Sequence, residues 1–249
     1  MMMLRLLILI SRLSRLGVVC CVAVSLTAYA SAENASEVLQ KTRTTYGAMK
    51  SYADTGVVLN EYGSSSQDRH TFSTYFNRAP RHFLLDFRKQ GGSQYVIWGD
   101  PDAFHTWWST TGQQYDYPNP NNITAISGSS QNTGATSMKI PTLLYLKSAL
   151  AGQMLELADP VLDGTEPIGN RRCYRITGRA SDVYAATGKE VNVRRVTVWI
   201  DAESSLVRKV LEEWKPLPGQ RSRVITTFEP QVNPALDDSR FKFVAPEAK

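Results

Sequence analysis

Apolar positions recur along this chain with two periods, and the change between them falls near Asp54. Between Glu33 and Tyr52, the residues Val38, Leu39, Thr42, Tyr46 and Met49 return at three- and four-residue steps, which predicts a helix with one apolar stripe. Asn34 with Glu37 three residues on is a capping-box arrangement that starts it. From Asp54 the step becomes two. The runs TGVVLNEY, HTFSTYFNR, RHFLLDFRK, SQYVIWG, AFHTWWST and GQQYDYP are of strand length and are separated by turn residues. In the third of them Phe83, Leu85 and Phe87 share one face, and Leu84, Asp86 and Arg88 the other. Asp100-Pro101-Asp102 predicts a tight turn, and connections this short join antiparallel neighbours.

The alternation stops at residues 118–137, a segment rich in Asn, Ser, Thr and Gly with little to bury. A loop of that length in a compact domain is usually functional or mobile. The run PTLLYLKSALAGQML follows, with Leu143, Leu146 and Leu150 at helical spacing, Pro141 suited to a first turn, and Leu144 and Tyr145 widening the apolar face. Strands then resume in MLELADPVLDG, RRCYRITGR, VRRVTVWID, SLVRKVLEEW and RSRVITTFEP; Val196, Val198 and Ile200 share one face of the third. A polar tail closes the chain, with Phe241 and Phe243 two apart. The expectation is a mainly β domain of about eleven antiparallel strands with a helical cover, in the α+β class. One sheet of that size must curl, close or stack, and two helical segments suit a lid over a curled, apolar concave face.

The first thirty-two residues change how the rest is counted. Arg5, Arg12 and Arg15 precede an apolar run from Leu16 to Ala30, which ends in Ala28-Tyr29-Ala30 and Ala30-Ser31-Ala32. That is the layout of a secretory signal peptide, and the run is shorter than the roughly 20 residues that span a bilayer. Residues 1–32 are therefore expected to be removed, leaving one domain over 33–249 in the periplasm. The formal charge of +5 includes three leader arginines, so the remaining chain carries +2. A nearly neutral exported domain is not expected to bind nucleic acid. Only Cys173 remains of the cysteines, so an intramolecular disulfide is excluded and the core alone must hold the fold.

Candidate chemistry is sparse. His70, His82 and His105 have no partners at metal-ligand spacing, and one cysteine cannot build a structural zinc site. Glu212 and Glu213 are adjacent in a strand and point to opposite faces, so they are no catalytic pair. Asp237 and Asp238 suit a turn. No nucleophile elbow, phosphate loop or dinucleotide fingerprint occurs. The reading is of a protein that is not an enzyme and holds no metal or cofactor.

The stretches FNRAPRHFLLDF (76–87), RRVTVWIDAESSLVRKVLEE (194–213) and LDDSRFKFVAP (236–246) resemble the LolA-like family, the periplasmic carriers of outer-membrane lipoproteins and their lipid-binding relatives. The resemblance implies an incomplete β-barrel with a helical lid around an apolar cavity for acyl chains. Phe76, Phe83, Leu85, Phe87 and Val96 would then line the cavity, together with Leu143, Leu146 and Leu150 of the lid and Val196, Val198 and Ile200 of the later strands. In YVIWGDPDAFHTWWST (95–110), Trp98 and Trp108 are expected on the concave side, with Trp107 under a helix or at an interface. The family's lid-holding arginine falls on Arg78; Ala79 separates it from Pro80, which leaves the lid-lock role and a solvated strand end both open. The implied partners are lipid or lipoprotein acyl chains and inner- or outer-membrane transport components, with the carrier a monomer. A non-transporting periplasmic sensor or envelope-assembly module on the same scaffold is the alternative.

Overall fold

The computed structural model describes residues 34–63, 66–118, 139–145, 155–184, 187–215 and 221–246. Residues 1–32, where a leader is expected, nearly all of the polar segment 118–137, and Leu146 and Leu150 lie outside the described residues.

Helix α1 (Ala35–Ala48) begins with the expected capping box, the Glu37 amide donating to Asn34 Oδ1 and the Asn34 amide to Glu37 Oε2, both at 3.0 Å. Its apolar stripe buries Val38, Leu39 and Tyr46, while Thr42 turns its hydroxyl back to the Val38 carbonyl. The helix stops four residues before the expected end. Asn233, near the far end of the chain, accepts the Lys50 and Ser51 amides on Oδ1 and draws this stretch into β1 (Ser51–Tyr62). No local signal could announce a capture across that separation.

The chain then runs as an antiparallel meander through β2 (Ser66–Arg78), β3 (Arg81–Lys89), β4 (Gln94–Gly99), β5 (Phe104–Trp108) and β6 (Gln113–Tyr117). Helix α2 (Lys139–Leu144) follows. A second meander comprises β7 (Ala158–Ile168), β8 (Arg171–Tyr184), β9 (Lys189–Asp201), β10 (Val207–Glu213) and β11 (Arg221–Phe228). The two meanders join where β11 pairs with β1, giving the strand order β6-β5-β4-β3-β2-β1-β11-β10-β9-β8-β7. The short β12 (Gln231–Val232) pairs with the start of β1, and a 3-10 turn at Asp238–Phe241 leads into the tail.

All eleven expected strands are present, and β6 and β7 stand as the unpaired ends of one open sheet among the described residues. This is an incomplete barrel with helical elements over its inner face. The connection from β6 to β7 passes from one edge strand of the sheet to the other, and α2 lies on it. Gly56 permits a close approach within the wall: a Cβ there would collide with the Phe72 ring and the Thr227 carbonyl.

Candidate functional site

Residues paired across antiparallel strands point to the same face, so the register maps the inner wall. Three rows cross the first meander. They are Tyr52, Phe76, Phe83, Gly99 and Phe104; then Asp54, Thr74, Leu85, Ile97 and Thr106; then Gly56, Phe72, Phe87, Tyr95 and Trp108. Edge-to-face packing links Phe83 to Phe104 at 6.0 Å, Tyr95 to Trp108 at 6.0 Å, and Phe72 to Phe228 at 5.6 Å. Pairs of this kind contribute about 0.5–1.5 kcal/mol beyond their area. This half of the wall is aromatic.

The second meander is aliphatic. Val58, Thr226, Val210, Val198 and Ile176 form one row, and Asn60, Val224, Glu212, Val196 and Gly178 the next. Ile200 extends the same face beside Val207. Two polar residues interrupt this surface without satisfaction. Asn60 is 1 % exposed and Thr226 0 %, yet among the described residues neither the Asn60 amide atoms nor Thr226 Oγ1 has a hydrogen-bond partner. A buried unpaired polar group costs about 1–3 kcal/mol.

The cover is built from both helices. Tyr46 of α1 accepts the Val207 amide at 3.2 Å and stands 5.7 Å from Tyr52, whose hydroxyl donates to Asp54 Oδ2 at 2.6 Å. Asp54 is 2 % exposed; burial pushes its carboxyl up to about 6, against the opposing hydrogen bond from Tyr52. Helix α2 reaches from one half of the wall to the other. At its start Lys139 Nζ donates to Glu212 Oε1 at 2.8 Å, and Arg194 Nε donates to the same oxygen at 2.6 Å. Arg194 also reaches Asp182 Oδ1 at 3.3 Å. Past its end the Tyr145 ring sits 5.5 Å from Phe76, 6.2 Å from Phe83 and 5.8 Å from Phe104. Burial pushes the Tyr145 hydroxyl far up, with Arg81 and Arg78 opposing.

Of the residues singled out from sequence, Phe76, Phe83, Leu85, Phe87, Val196, Val198 and Ile200 lie together in the wall, and Leu143 is buried beneath the lid. Trp108 lies at the wall's half-buried margin. Val96 and Trp98 require a correction. The turn between β4 and β5 pairs Gly99 with Phe104, so Trp98 pairs with His105 and Val96 with Trp107, all on the outer face. A turn of even length matches even-numbered positions with odd ones, which puts Trp98 on the same face as Trp107 and opposite to Trp108. The outer face is covered here by the C-terminal tail, not by a helix: Phe243 lies 4.9 Å from Trp98 and 5.4 Å from Trp107.

Arg78 shares the face of Phe76, because Ala79 and Pro80 form the turn to β3 and leave the strand register unchanged. Its Nε donates to the Met49 carbonyl at 2.7 Å, its guanidinium stands 5.1 Å from the Phe76 ring centroid, and burial lowers its pKa. This bond joins β2 to the end of α1. His82 and His105 lie on the outer face. His82 is 5.3 Å from Phe241, and His105 stacks on Trp98 at 5.1 Å with Nδ1 2.7 Å from Asp116. His70 faces inward, stacked on Phe87 at 4.8 Å. Among the described residues no group of His, Cys, Asp and Glu could hold a metal ion.

Sequence reasoning missed Asp54, Asn60, Thr226 and the Lys139–Glu212–Arg194 cluster. Parity contained part of the signal, since Asp54 and Asn60 alternate with Tyr52, Gly56 and Val58 on one face. In sequence Glu212 has only Glu213 beside it, whereas its partners come from β9 and α2.

No family model and no curated protein sequence matches the chain. Solved structures similar to it include lipoprotein LppX of Mycobacterium tuberculosis, at 12 % identity over 82 % of this chain and 97 % of that one, with a TM-score of 0.47. The Pseudomonas aeruginosa MucA/MucB complex matches at 13 % identity over 85 % and 61 %, with a TM-score of 0.46. A LolA superfamily protein of Nitrosomonas europaea matches at 10 % identity over 85 % and 99 %, with a TM-score of 0.33. At these identities none of the three assigns a residue role here.

Proposed function

We propose that the chain is an exported, non-catalytic periplasmic carrier or chaperone. It takes acyl chains of lipids or lipoproteins between its inner wall and α2 and conveys them towards the outer membrane. The observation that carries this reading is the cover itself. A largely apolar wall is crossed by a six-residue helix, anchored at one end by Lys139 on Glu212 and at the other by Tyr145 among Phe76, Phe83 and Phe104. So short a helix is not stable by itself. Displacing it exposes the wall, and acyl chains that replace it gain about 0.8 kcal/mol per buried CH₂. Purification from the native envelope, followed by native mass spectrometry before and after delipidation, tests the reading. A bound lipid that disappears on delipidation, and uptake of a fluorescent fatty acid by the stripped protein, are expected. Absence of both would overturn it.

The alternative is a sensor or envelope-assembly module, and one feature favours it. Strand β6 is exposed along its length, with Tyr115 54 % exposed, and its outer edge is unpaired among the described residues. Such an edge can accept a partner strand. An envelope protein retained at one-to-one stoichiometry after delipidation, and released by Tyr115→Pro, would favour this second reading.

A further inference from the structure

We propose that Asn60 and Thr226 form a subsite for the glyceryl ester linkage of acylated cargo, so that the cargo lies with its polar end under the start of α2. The inference rests on the carrier reading and adds an orientation and a ligand chemistry to it.

Both side chains belong to the inner wall by register, Asn60 beside Val224 and Thr226 beside Val58 and Val210. They are diagonal neighbours, roughly 7–8 Å apart for such a pair. Towards β11 and β10 their neighbours are Val224, Val210 and Val58, while on β2 Asn60 faces Asp68, whose carboxylate is engaged by Lys89. Leucine or valine would suit packing on the β11 side alone. Instead the wall keeps an amide and a hydroxyl whose side-chain polar atoms have no hydrogen-bond partner among the described residues. The amide supplies donors and an acceptor, and the hydroxyl supplies one of each. Together they complement an ester carbonyl, which accepts, next to a glycerol oxygen or hydroxyl.

The charges at this end select a neutral group. Glu212 lies two strands from Asn60 in the same row, about 10 Å away. Lys139 and Arg194 are both engaged by Glu212, and Arg194 also by Asp182, so each cation here is already paired with a carboxylate. A phosphate or free carboxylate would have to break that cluster, and an ester would not. At the other end of α2 the wall is aromatic, with Phe76, Phe83 and Phe104 around Tyr145. From β10 to β3 is four strand spacings, about 19 Å. The acyl chains then run from the Asn60 row towards the aromatic half.

The test compares wild type with Asn60→Leu and with Thr226→Val, which leaves side-chain volume nearly unchanged. Three probes are titrated: dodecylpyrene, which is hydrocarbon only; 1-palmitoylglycerol; and a dipalmitoyl-S-glycerylcysteinyl peptide. Thermal melting checks folding, and both variants are expected to melt no lower than wild type because an unpaired polar group is removed. The proposal expects threefold or greater loss of affinity for the glyceride, the lipopeptide or both, with dodecylpyrene within twofold of wild type. Which ester-bearing probe responds distinguishes a free lipid from a lipoprotein as the source. Loss below threefold for both in both variants overturns the subsite and leaves the carrier reading standing. Equal loss for all three probes also overturns it, since the residues would then only support the wall. Wild type that binds none of the probes overturns the carrier reading and the subsite with it.

Discussion

Lys139 Nζ, on the first turn of α2, reaches Glu212 Oε1 of β10 at 2.8 Å, and the Glu212 side chain is only 4 % exposed. The lid is therefore fixed at its start by a buried ion pair whose carboxylate Arg194 also engages. Removing one partner of a buried ion cluster leaves charge without compensation, which costs about 3–5 kcal/mol. Glu212→Gln, which leaves Lys139 without its carboxylate and Arg194 with Asp182 alone, is expected to lower stability by about that amount in urea unfolding. Lys139→Met leaves the Glu212–Arg194 pair intact and should cost much less. Its expected effect is kinetic: faster hydrogen exchange over Lys139–Leu144 and faster uptake of a fluorescent fatty acid in stopped flow. Unchanged uptake in Lys139→Met would show that α2 is not the gate.

Asp54 makes stability depend on pH. Its carboxyl is raised from the model-compound value of 3.8 to about 6 by burial, so the folded protein holds its proton more tightly than the unfolded chain. The stabilisation is therefore full below pH 4 and is lost as pH rises through 6, on the order of 2–3 kcal/mol in all. Asp54→Asn keeps an acceptor for the Tyr52 hydroxyl and cannot ionise. Its urea midpoint should equal that of wild type near pH 4 and exceed it near pH 7. Parallel pH profiles for the two proteins would show that Asp54 does not titrate in this window.

Trp107 and Trp108 are neighbours in sequence and belong to different surfaces. Trp107 is 5 % exposed beneath Phe243 of the tail, while Trp108 faces Tyr95 at the half-buried margin of the inner wall. Phe243→Ala should uncover Trp98 and Trp107, shift the intrinsic fluorescence to the red, and leave lipid uptake within twofold of wild type. Trp108→Glu should weaken uptake about tenfold or more with a small change in melting temperature, because a carboxylate at that margin still reaches water. Uptake that is lost in Phe243→Ala and kept in Trp108→Glu would place the binding surface on the outer face.

Legibility in the sequence followed the range of the interactions. The strands were readable because alternation is local, and the capping box of α1 because Asn34 and Glu37 are three residues apart. The end of α1 was not, because Asn233 decides it. Face assignment succeeded for Phe83, Leu85 and Phe87, where Asp86 and Arg88 mark the other side. It failed for Val96 and Trp98, where both faces are apolar and the turn length sets the parity. The polar residues of the inner wall were illegible for a related reason. Asn60 and Thr226 acquire meaning only once their strands are neighbours, and Lys139, Glu212 and Arg194 come from three separate elements.

Of the two helices that cover the wall, Arg78 engages α1. Its Nε donates to the Met49 carbonyl at the C-terminal end of α1, and its backbone amide donates to the Lys50 carbonyl at 2.8 Å. The side chain supplies an acceptor-free planar donor to a helix end, where unpaired carbonyls gather. Arg78→Met should therefore cost about 1.5–3 kcal/mol, the usual range for a lost charged hydrogen bond. Amides of the last turn of α1 and of Ser51–Ala53 should exchange faster, with those of Lys139–Leu144 unchanged. Arg78→Lys should recover little, because an ammonium on a flexible stem does not reproduce the Nε geometry. Tyr145→Phe in the Arg78→Met background supplies the cross-check: if Arg78 acts on α1 alone, the two substitutions add within about 0.5 kcal/mol. Opening of α2 in Arg78→Met, or a larger coupling to Tyr145, would reassign Arg78 to the lid.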